Sequence, residues 1–170
     1  MSEIAHAAPL DPERLIAVLA ANHVRYVLIG ALGARLQGFA RLTADADITP
    51  ARDDENLKHL AAALRELHAR VYTESVPEGL AFDFSGKSLA RSETWNLITS
   101  AGRLDIAFVP SGTSGYEDLK RGALTFDING ATIDVSSLDD IVRSKRAADR
   151  PQDRQDVAVM LELIERRDAR

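Results

Sequence analysis

Ile29-Gly30-Ala31-Leu32-Gly33, followed by Arg41-Leu42-Thr43-Ala44-Asp45-Ala46-Asp47, is the stretch on which the fold turns. It is preceded by Tyr26-Val27-Leu28, which with Ile29 makes a short, continuous apolar run that reads as a buried strand. The run ends at Gly30, and Ala31 to Gln37 reads as a short helix closed by Gly38. A strand that ends in glycine and opens a helix presents backbone N–H groups to an anion. From Ala44 to Thr49, Asp45, Asp47 and Thr49 alternate with Ala46 and Ile48, so both carboxylates project from one face of a strand. Carboxylates held side by side repel and raise each other's pKa unless a cation sits between them. A divalent, oxygen-loving metal such as magnesium resolves that conflict.

Working outward, Asp11-Pro12-Glu13 starts a helix, with an N-cap acceptor and proline at the first helical position. Asp53 or Asp54 caps a longer helix in which Leu57, Leu60, Ala61, Leu64 and Leu67 follow 3.6-residue spacing. The segment from Val71 to Ser92 carries a weaker signal, with a strand expected around Ala81 to Phe84. Trp95–Thr99 and Arg103–Val109 read as a hairpin. Thr125–Ile128 and Ala131–Val135 read as a second, turned by Asn129-Gly130. Helices from Leu138 to Ala147 and from Pro151 to about Arg167 complete the chain. Strands interleaved with helices, some in hairpins, predict an α/β (α+β) fold in which a mixed sheet is flanked by helices. The expected organisation is one unit over residues 1–170, its core at about 24–135 and the helices of 137–167 packed on it.

A third acid, Asp105, stands in the apolar run Leu104-Asp105-Ile106-Ala107-Phe108. If its strand lies beside that of Asp45 and Asp47, three carboxylates converge and could hold metal ions that clamp a phosphoryl displacement. Each element alone has a plainer reading: Asp105 as the solvent side of a half-exposed strand, Gly30 as a packing glycine. The case rests on their combination and order. In the penultimate helix Lys145 shares an angular position with Leu138, Ile141 and Val142. In the last, Asp153 lies on the side of Val157 and Met160, with Asp156 at its edge. An inward lysine and an inward aspartate make either a structural ion pair or a lysine held so that it reaches a phosphate.

Composition narrows the classes. The chain has 170 residues, 45% hydrophobic and 28% charged, which excludes a disordered or fibrous protein. It has no cysteine, so disulfides, thiolate metal sites and cysteine nucleophiles are excluded. Its four histidines are scattered, which argues against a histidine-built metal site. A net charge of −5 argues against coating nucleic acid through bulk charge. Met1 to Leu10 lacks the pattern of a signal peptide and no stretch is long and apolar enough for a membrane helix, so a cytoplasmic protein without a membrane partner is expected.

These residues resemble the nucleotidyltransferase superfamily that includes the DNA polymerase β-like enzymes. Its signature is a hydrophobic residue, glycine, then glycine or serine, followed about a dozen residues later by a carboxylate–apolar–carboxylate triplet; here it reads Ile29-Gly30-Ala31 and Asp45-Ala46-Asp47, with Asp105 later. More narrowly, Gly38 to Asp47, Tyr116-Glu117-Asp118-Leu119, Ser137 to Lys145 and Arg150 to Asp156 are similar to the minimal bacterial nucleotidyltransferases of toxin–antitoxin loci, the AbiE-type toxins and their short relatives. The resemblance covers roughly residues 24–165. It implies transfer of a nucleoside monophosphate from an NTP to a hydroxyl, with release of pyrophosphate. It further implies that Asp45, Asp47 and Asp105 hold Mg²⁺ (or Mn²⁺), with Asp105 as candidate base. The Gly30-Ala31 backbone would hold the triphosphate, with Lys145 neutralising it, Asp153 positioning Lys145, and Arg41 and Thr43 at the same mouth. The implied acceptor is the 3′ end of tRNA or another RNA, modified by a toxin-like component with a cognate antitoxin. Two alternatives stand beside it: antitoxin-type protein nucleotidylation (AMPylation), and a catalytically lapsed nucleotide-binding or interaction protein. Ala31 departs from the pattern, where positive φ would be costly. Gln152 departs too, standing where relatives often carry lysine.

Overall fold

The computed structural model describes residues 7–170. Its centre is an eight-stranded mixed sheet of order β4-β3-β5-β6-β2-β1-β8-β7. The chain enters through α1 (Pro12–Ala21), β1 (Tyr26–Ile29), α2 (Gly30–Arg35), β2 (Asp45–Pro50) and α3 (Asp54–Glu66). It continues through β3 (Arg70–Thr73), β4 (Val76–Leu80), α4 (Gly86–Leu89), β5 (Thr94–Thr99) and β6 (Gly102–Ala107). The remaining elements are α5 (Tyr116–Gly122), β7 (Leu124–Ile128), β8 (Ala131–Val135), α6 (Leu138–Ala148) and α7 (Pro151–Asp168). Strands β2 and β6 run parallel, as do β1 and β8; every other pairing is antiparallel.

The two faces of the sheet differ as the alternation predicts. Ala46, Ile48, Leu104 and Ile106 are wholly buried beneath the apolar sides of α1 and α3, where Leu19, Leu57, Leu60 and Leu64 meet them. Burying each such side chain contributes about 1.5–3 kcal/mol. That burial leaves Asp45, Asp47 and Asp105 no choice but the opposite face. A second apolar cluster joins Ala34 and Phe39 to Leu138, Ile141, Val142, Val157 and Met160, and so packs α2 against α6 and α7. The expected caps form: Asp11 accepts from the Arg14 N–H, and Asp53, rather than Asp54, accepts from that of Asn56.

Three expectations need correction. The strand expected at 81–84 is absent; β4 lies just before it, and Phe82 and Phe84 instead pack against Trp95 with ring centroids 5.2 and 6.3 Å away. Alternating aromatics there imitate strand periodicity, while Pro77 and Gly79 disguise β4, an edge strand that tolerates both. Helix α2 begins at Gly30, one residue earlier than the glycine-ended strand suggests. Helix α5 was not expected at all: it offers one buried residue, Leu119, and too short a period to read.

Candidate active site

Strand β6 does lie beside β2, and the register pairs Asp47 with Asp105 and Asp45 with Arg103. Neighbouring strands are about 4.8 Å apart, so Asp47 and Asp105 are direct cross-strand neighbours. Two like charges so placed are destabilising. Burial, then Asp105 and Asp45, pushes the Asp47 carboxyl up to about 7, against the pull of Lys145 and Arg150. Burial, then Asp45, pushes Asp105 up to about 6, with Arg103 opposing. Asp105 Oδ1 is buried without a hydrogen-bond partner among the described residues.

An unpartnered carboxylate oxygen beside a second carboxyl raised by burial and by its acidic neighbours is a donor set suited to a hard divalent cation. All three aspartates line one cavity. They are not drawn equally close, for Asp45 sits against Arg103, whose Nε is 3.7 Å from its Oδ1. Among the described residues no three carboxylates or imidazoles close on one point as a finished metal site. The pair Asp47–Asp105 is therefore the nucleus of the arrangement, and Asp45 its flank.

Gly30 is required here for two reasons. Its φ is +67°, in the left-handed region, and a Cβ at this position would lie 2.5 Å from Asp47 Oδ2. The residue pairing opposite Asp47 on β1 is Ile29, so the strand end delivers Gly30 directly beside that carboxylate. Ala31 is buried and its φ is not positive, so the departure from glycine or serine costs no backbone strain. No side chain caps α2, so its first N–H groups are not taken up by a capping residue. Thr43 lines the cavity, but its hydroxyl is spent locally: it donates to the Asp45 carbonyl (3.1 Å) and accepts from the Asp45 N–H (3.3 Å), which fixes the start of β2.

The opposite wall is cationic. Lys145 Nζ donates to Asp153 Oδ1 (3.3 Å) and Asp156 Oδ2 (3.2 Å), and its side chain is 13% exposed. The inward lysine and inward aspartate thus meet, at the cavity surface rather than deep in the core. Arg41 donates to both Asp156 oxygens at 2.7 Å, and Arg150 donates to Asp153 at 2.8 Å. Burial works against the Asp153 charge, yet the hydrogen bonds from Arg150 and the nearby Lys145 hold it below the usual carboxylate range. Lys145, Arg41 and Arg150 thus share Asp153 and Asp156, and the three cations face the sheet carboxylates across the cavity. Gln152 abuts the Arg41 guanidinium, a contact that pairs donor with acceptor when the amide oxygen faces Arg41. The intervening cavity measures about 560 Å³, within the usual 300–1,000 Å³ of a small-ligand site.

Sequence reasoning placed Asp45, Asp47, Asp105, Lys145, Asp153, Gly30, Ala31, Arg41 and Thr43 at one site, and all nine line this cavity. It missed Asp156 as the shared acceptor of Arg41 and Lys145, and Arg150 as the partner of Asp153. The i+3 spacing of Asp153 and Asp156 was the available signal, since it sets both on one helical face.

No protein-family model matches the chain, and no curated protein matches it. Solved structures do. The nucleotidyltransferase TM1012 from Thermotoga maritima is similar with a TM-score of 0.55 and 17% identity, over 95% of this chain and 99% of that one. The lincosamide antibiotic adenylyltransferase LnuA, with lincomycin bound, is similar with a TM-score of 0.57 and 14% identity, over 91% and 99% of the two chains. ANT(2″)-Ia in complex with adenylyl-2″-tobramycin gives 0.54 and 17%, over 88% and 85%. At such identities the likeness is one of architecture: this chain shares its fold with these three structures.

Proposed function

We propose that the protein is a metal-dependent nucleotidyltransferase that moves an NMP from an NTP to a hydroxyl acceptor. One observation carries this reading: Asp47 and Asp105 stand paired beside Gly30, across a cavity from the Arg41–Lys145–Arg150 wall. Opposed carboxylate and cationic walls suit a polyphosphate whose charge is met from one side by cations and from the other through bound metal. A divalent ion such as Mg²⁺ or Mn²⁺, held by Asp47 and Asp105 with Asp45 as a further oxygen donor, would supply charge neutralisation at the reacting phosphate.

The chain's own residues do the rest. Asp105 takes the proton of the acceptor hydroxyl on the carboxylate oxygen that is not engaged with the metal. The freed oxygen bonds to the α-phosphorus as the bond from that phosphorus to the bridging oxygen of the pyrophosphate breaks, and pyrophosphate leaves with the electron pair. Lys145, held by Asp153 and Asp156, and Arg41, held by Asp156, neutralise the triphosphate and the departing pyrophosphate. The backbone at Gly30-Ala31 approaches the phosphates from the end of β1. Catalysis of this kind is positioning and electrostatics, so replacement of a single carboxylate is severe.

The acceptor favoured here is the 3′ end of RNA, tRNA first, in the setting of a toxin-like component with a cognate antitoxin; its support is the resemblance over residues 24–165. A second reading, transfer to the hydroxyl of a small molecule, is supported by the likeness to LnuA over 99% of that chain. The test is to supply Mg²⁺ and each α-labelled NTP in turn to the protein with bacterial RNA, cell lysate or hydroxylated antibiotics, and to find what becomes labelled. Label from one NTP in RNA is expected, reduced about 10²–10⁴-fold in Asp105→Asn. Absence of label from every NTP, or undiminished labelling by Asp47→Asn, removes the enzyme reading.

A further inference from the structure

The cations of the cavity wall are all engaged: Arg41 with Asp156, Lys145 with Asp153 and Asp156, Arg150 with Asp153. Arg103 is different. It lies outside the cavity lining, two residues before Asp105 on the same face of β6, and beside Asp45 in the register. Its Nε is buried without a hydrogen-bond partner among the described residues, and its approach to Asp45 at 3.7 Å is too long for a charge-assisted bond, which closes to about 2.7–2.9 Å. The Arg41–Asp156 pair shows what a closed pair looks like in this protein, at 2.7 Å.

What holds Arg103 is a ring. Its guanidinium carbon lies 4.5 Å from the Tyr72 ring centroid, so one planar face is stacked while a third of the side chain remains exposed. The register places exposed Asn96 of β5 next to Asp105 on the side away from β2. Asp105 thus stands between two regions. On the Gly30 side lies the cavity with its cationic wall; on the other lies an open stretch of sheet bearing Asn96, Arg103 and Tyr72.

We propose that Arg103, stacked on Tyr72, is the specificity-determining residue of the acceptor side, and that it grips a phosphate of a single-stranded RNA next to the hydroxyl presented to Asp105. This rests on the nucleotidyl-transfer reading and names the acceptor's chemistry within it. Two residues along a strand span about 7 Å, a reach that suits a sugar hydroxyl at Asp105 and a backbone phosphate of the same strand at Arg103. A stacked, pre-oriented guanidinium on a side chain one third exposed is suited to phosphate in a way a lysine is not. The same cation repels a positively charged acceptor. Arg103 is therefore a residue that selects for RNA ends over polycationic small molecules.

The experiment measures binding and transfer separately. A fluorescently labelled single-stranded RNA with a free 3′ hydroxyl is titrated with wild type, Arg103→Ala, Arg103→Lys and Tyr72→Ala between 50 and 200 mM salt, with NTP binding followed in parallel. Arg103→Ala is expected to weaken RNA binding about tenfold and to reduce the slope of log K against log salt by about 0.7–1, leaving NTP affinity unchanged. Arg103→Lys, which keeps the charge, is expected to keep the slope and lose part of the affinity. A wild type that does not bind this RNA overturns the inference, as does an unchanged salt slope in Arg103→Ala or a loss confined to NTP affinity. Transfer by the wild type to an uncharged or cationic acceptor, undiminished in Arg103→Ala, sinks it while the enzyme reading stands. RNA held through Arg103 without transfer from any NTP has the opposite meaning.

Discussion

Gly30 shows how much one missing carbon can decide. The left-handed φ of +67° costs a side-chain-bearing residue about 1–2 kcal/mol, and the space a Cβ would need is already filled by Asp47 Oδ2. Gly30→Ala is therefore expected to act twice, lowering the melting temperature by about 2–8 °C and pushing Asp47 off its position. Displacement of a reacting group by about 1 Å can cost 10²-fold, so activity falls further than stability. Ala31→Gly, one residue on and without positive φ, is the matched control and is expected to keep full activity. Melting curves together with label transfer for the two variants check this; equal losses in both would show that the turn, and not the carbon at residue 30, is what matters. The importance of Gly30 and of the three aspartates was legible because each sits in a short-range pattern: an apolar run stopped by glycine, and acids on alternate strand positions. Arg103 was illegible for the converse reason. A lone arginine on a strand has no periodic partner, and its stacking on Tyr72 joins residues distant in sequence.

At the scale of elements, α6 and α7 form the wall that makes a cavity of an otherwise open sheet, and the buried Asp156 ties them, through Arg41, to the segment that leads into β2. Removing one partner from a buried ion cluster leaves uncompensated charge and costs about 3–5 kcal/mol, whereas an exposed pair is worth at most about 1 kcal/mol. Asp156 is only 6% exposed at its side chain, but Arg41 is 40% exposed and Lys145 keeps Asp153, so Asp156→Ala is expected to fall between the two classes. The predicted loss is about 1–3 kcal/mol, or about 2–12 °C for a chain of this length, with kcat/KM for NTP down at least about tenfold as Lys145 and Arg41 lose a shared anchor. A loss under about 1 kcal/mol by thermal or urea unfolding would return the cluster to the rank of surface pairs. The long helices were readable because an apolar stripe over several turns averages out local noise: α3 runs 13 residues and α7 runs 18. Elements of one turn or two do not allow this. Helix α5 carries acids in its first turn and bases in its last, which is the dipole signature, yet a single buried leucine gave no stripe. Strand β4 was hidden by Pro77 and Gly79, which an edge position tolerates and a central one does not.

For the molecule as a whole, the question is how a chain of net charge −5 manages acids gathered on one face of its sheet. Strand order could not be read from the sequence, because the pairing of β2 with β6 spans α3, β3, β4, α4 and β5. Once that pairing is made, the apolar residues of both strands go down and the carboxylates come together. The fold stability gained by burying Ala46, Ile48, Leu104 and Ile106 is thus partly offset by burying the Asp47 and Asp105 carboxyls and by the repulsion among Asp45, Asp47 and Asp105. The sign of the pH dependence follows. Both carboxyls are raised in the folded state, from an ordinary 3.8 to about 7 for Asp47 and about 6 for Asp105, so between those limits the folded chain holds more protons than the unfolded one. In that window stability contributed by these groups falls as pH rises, and with Asp47 at about 7 it is still falling at neutral pH. A divalent cation competes with those protons and relieves the repulsion where the protons are gone. Millimolar Mg²⁺ is therefore expected to raise the melting temperature little at pH 5.5 and more at pH 7.5, each 1 kcal/mol of relief appearing as about 2–4 °C. Asp47→Asn, which removes the repulsion without a cation, should melt higher than wild type at pH 7.5 in the absence of metal and lose most of the Mg²⁺ response. A Mg²⁺ shift of equal size at both pH values, or one that survives in Asp47→Asn, would place the cation elsewhere on the acidic surface and detach the metal from the paired carboxylates.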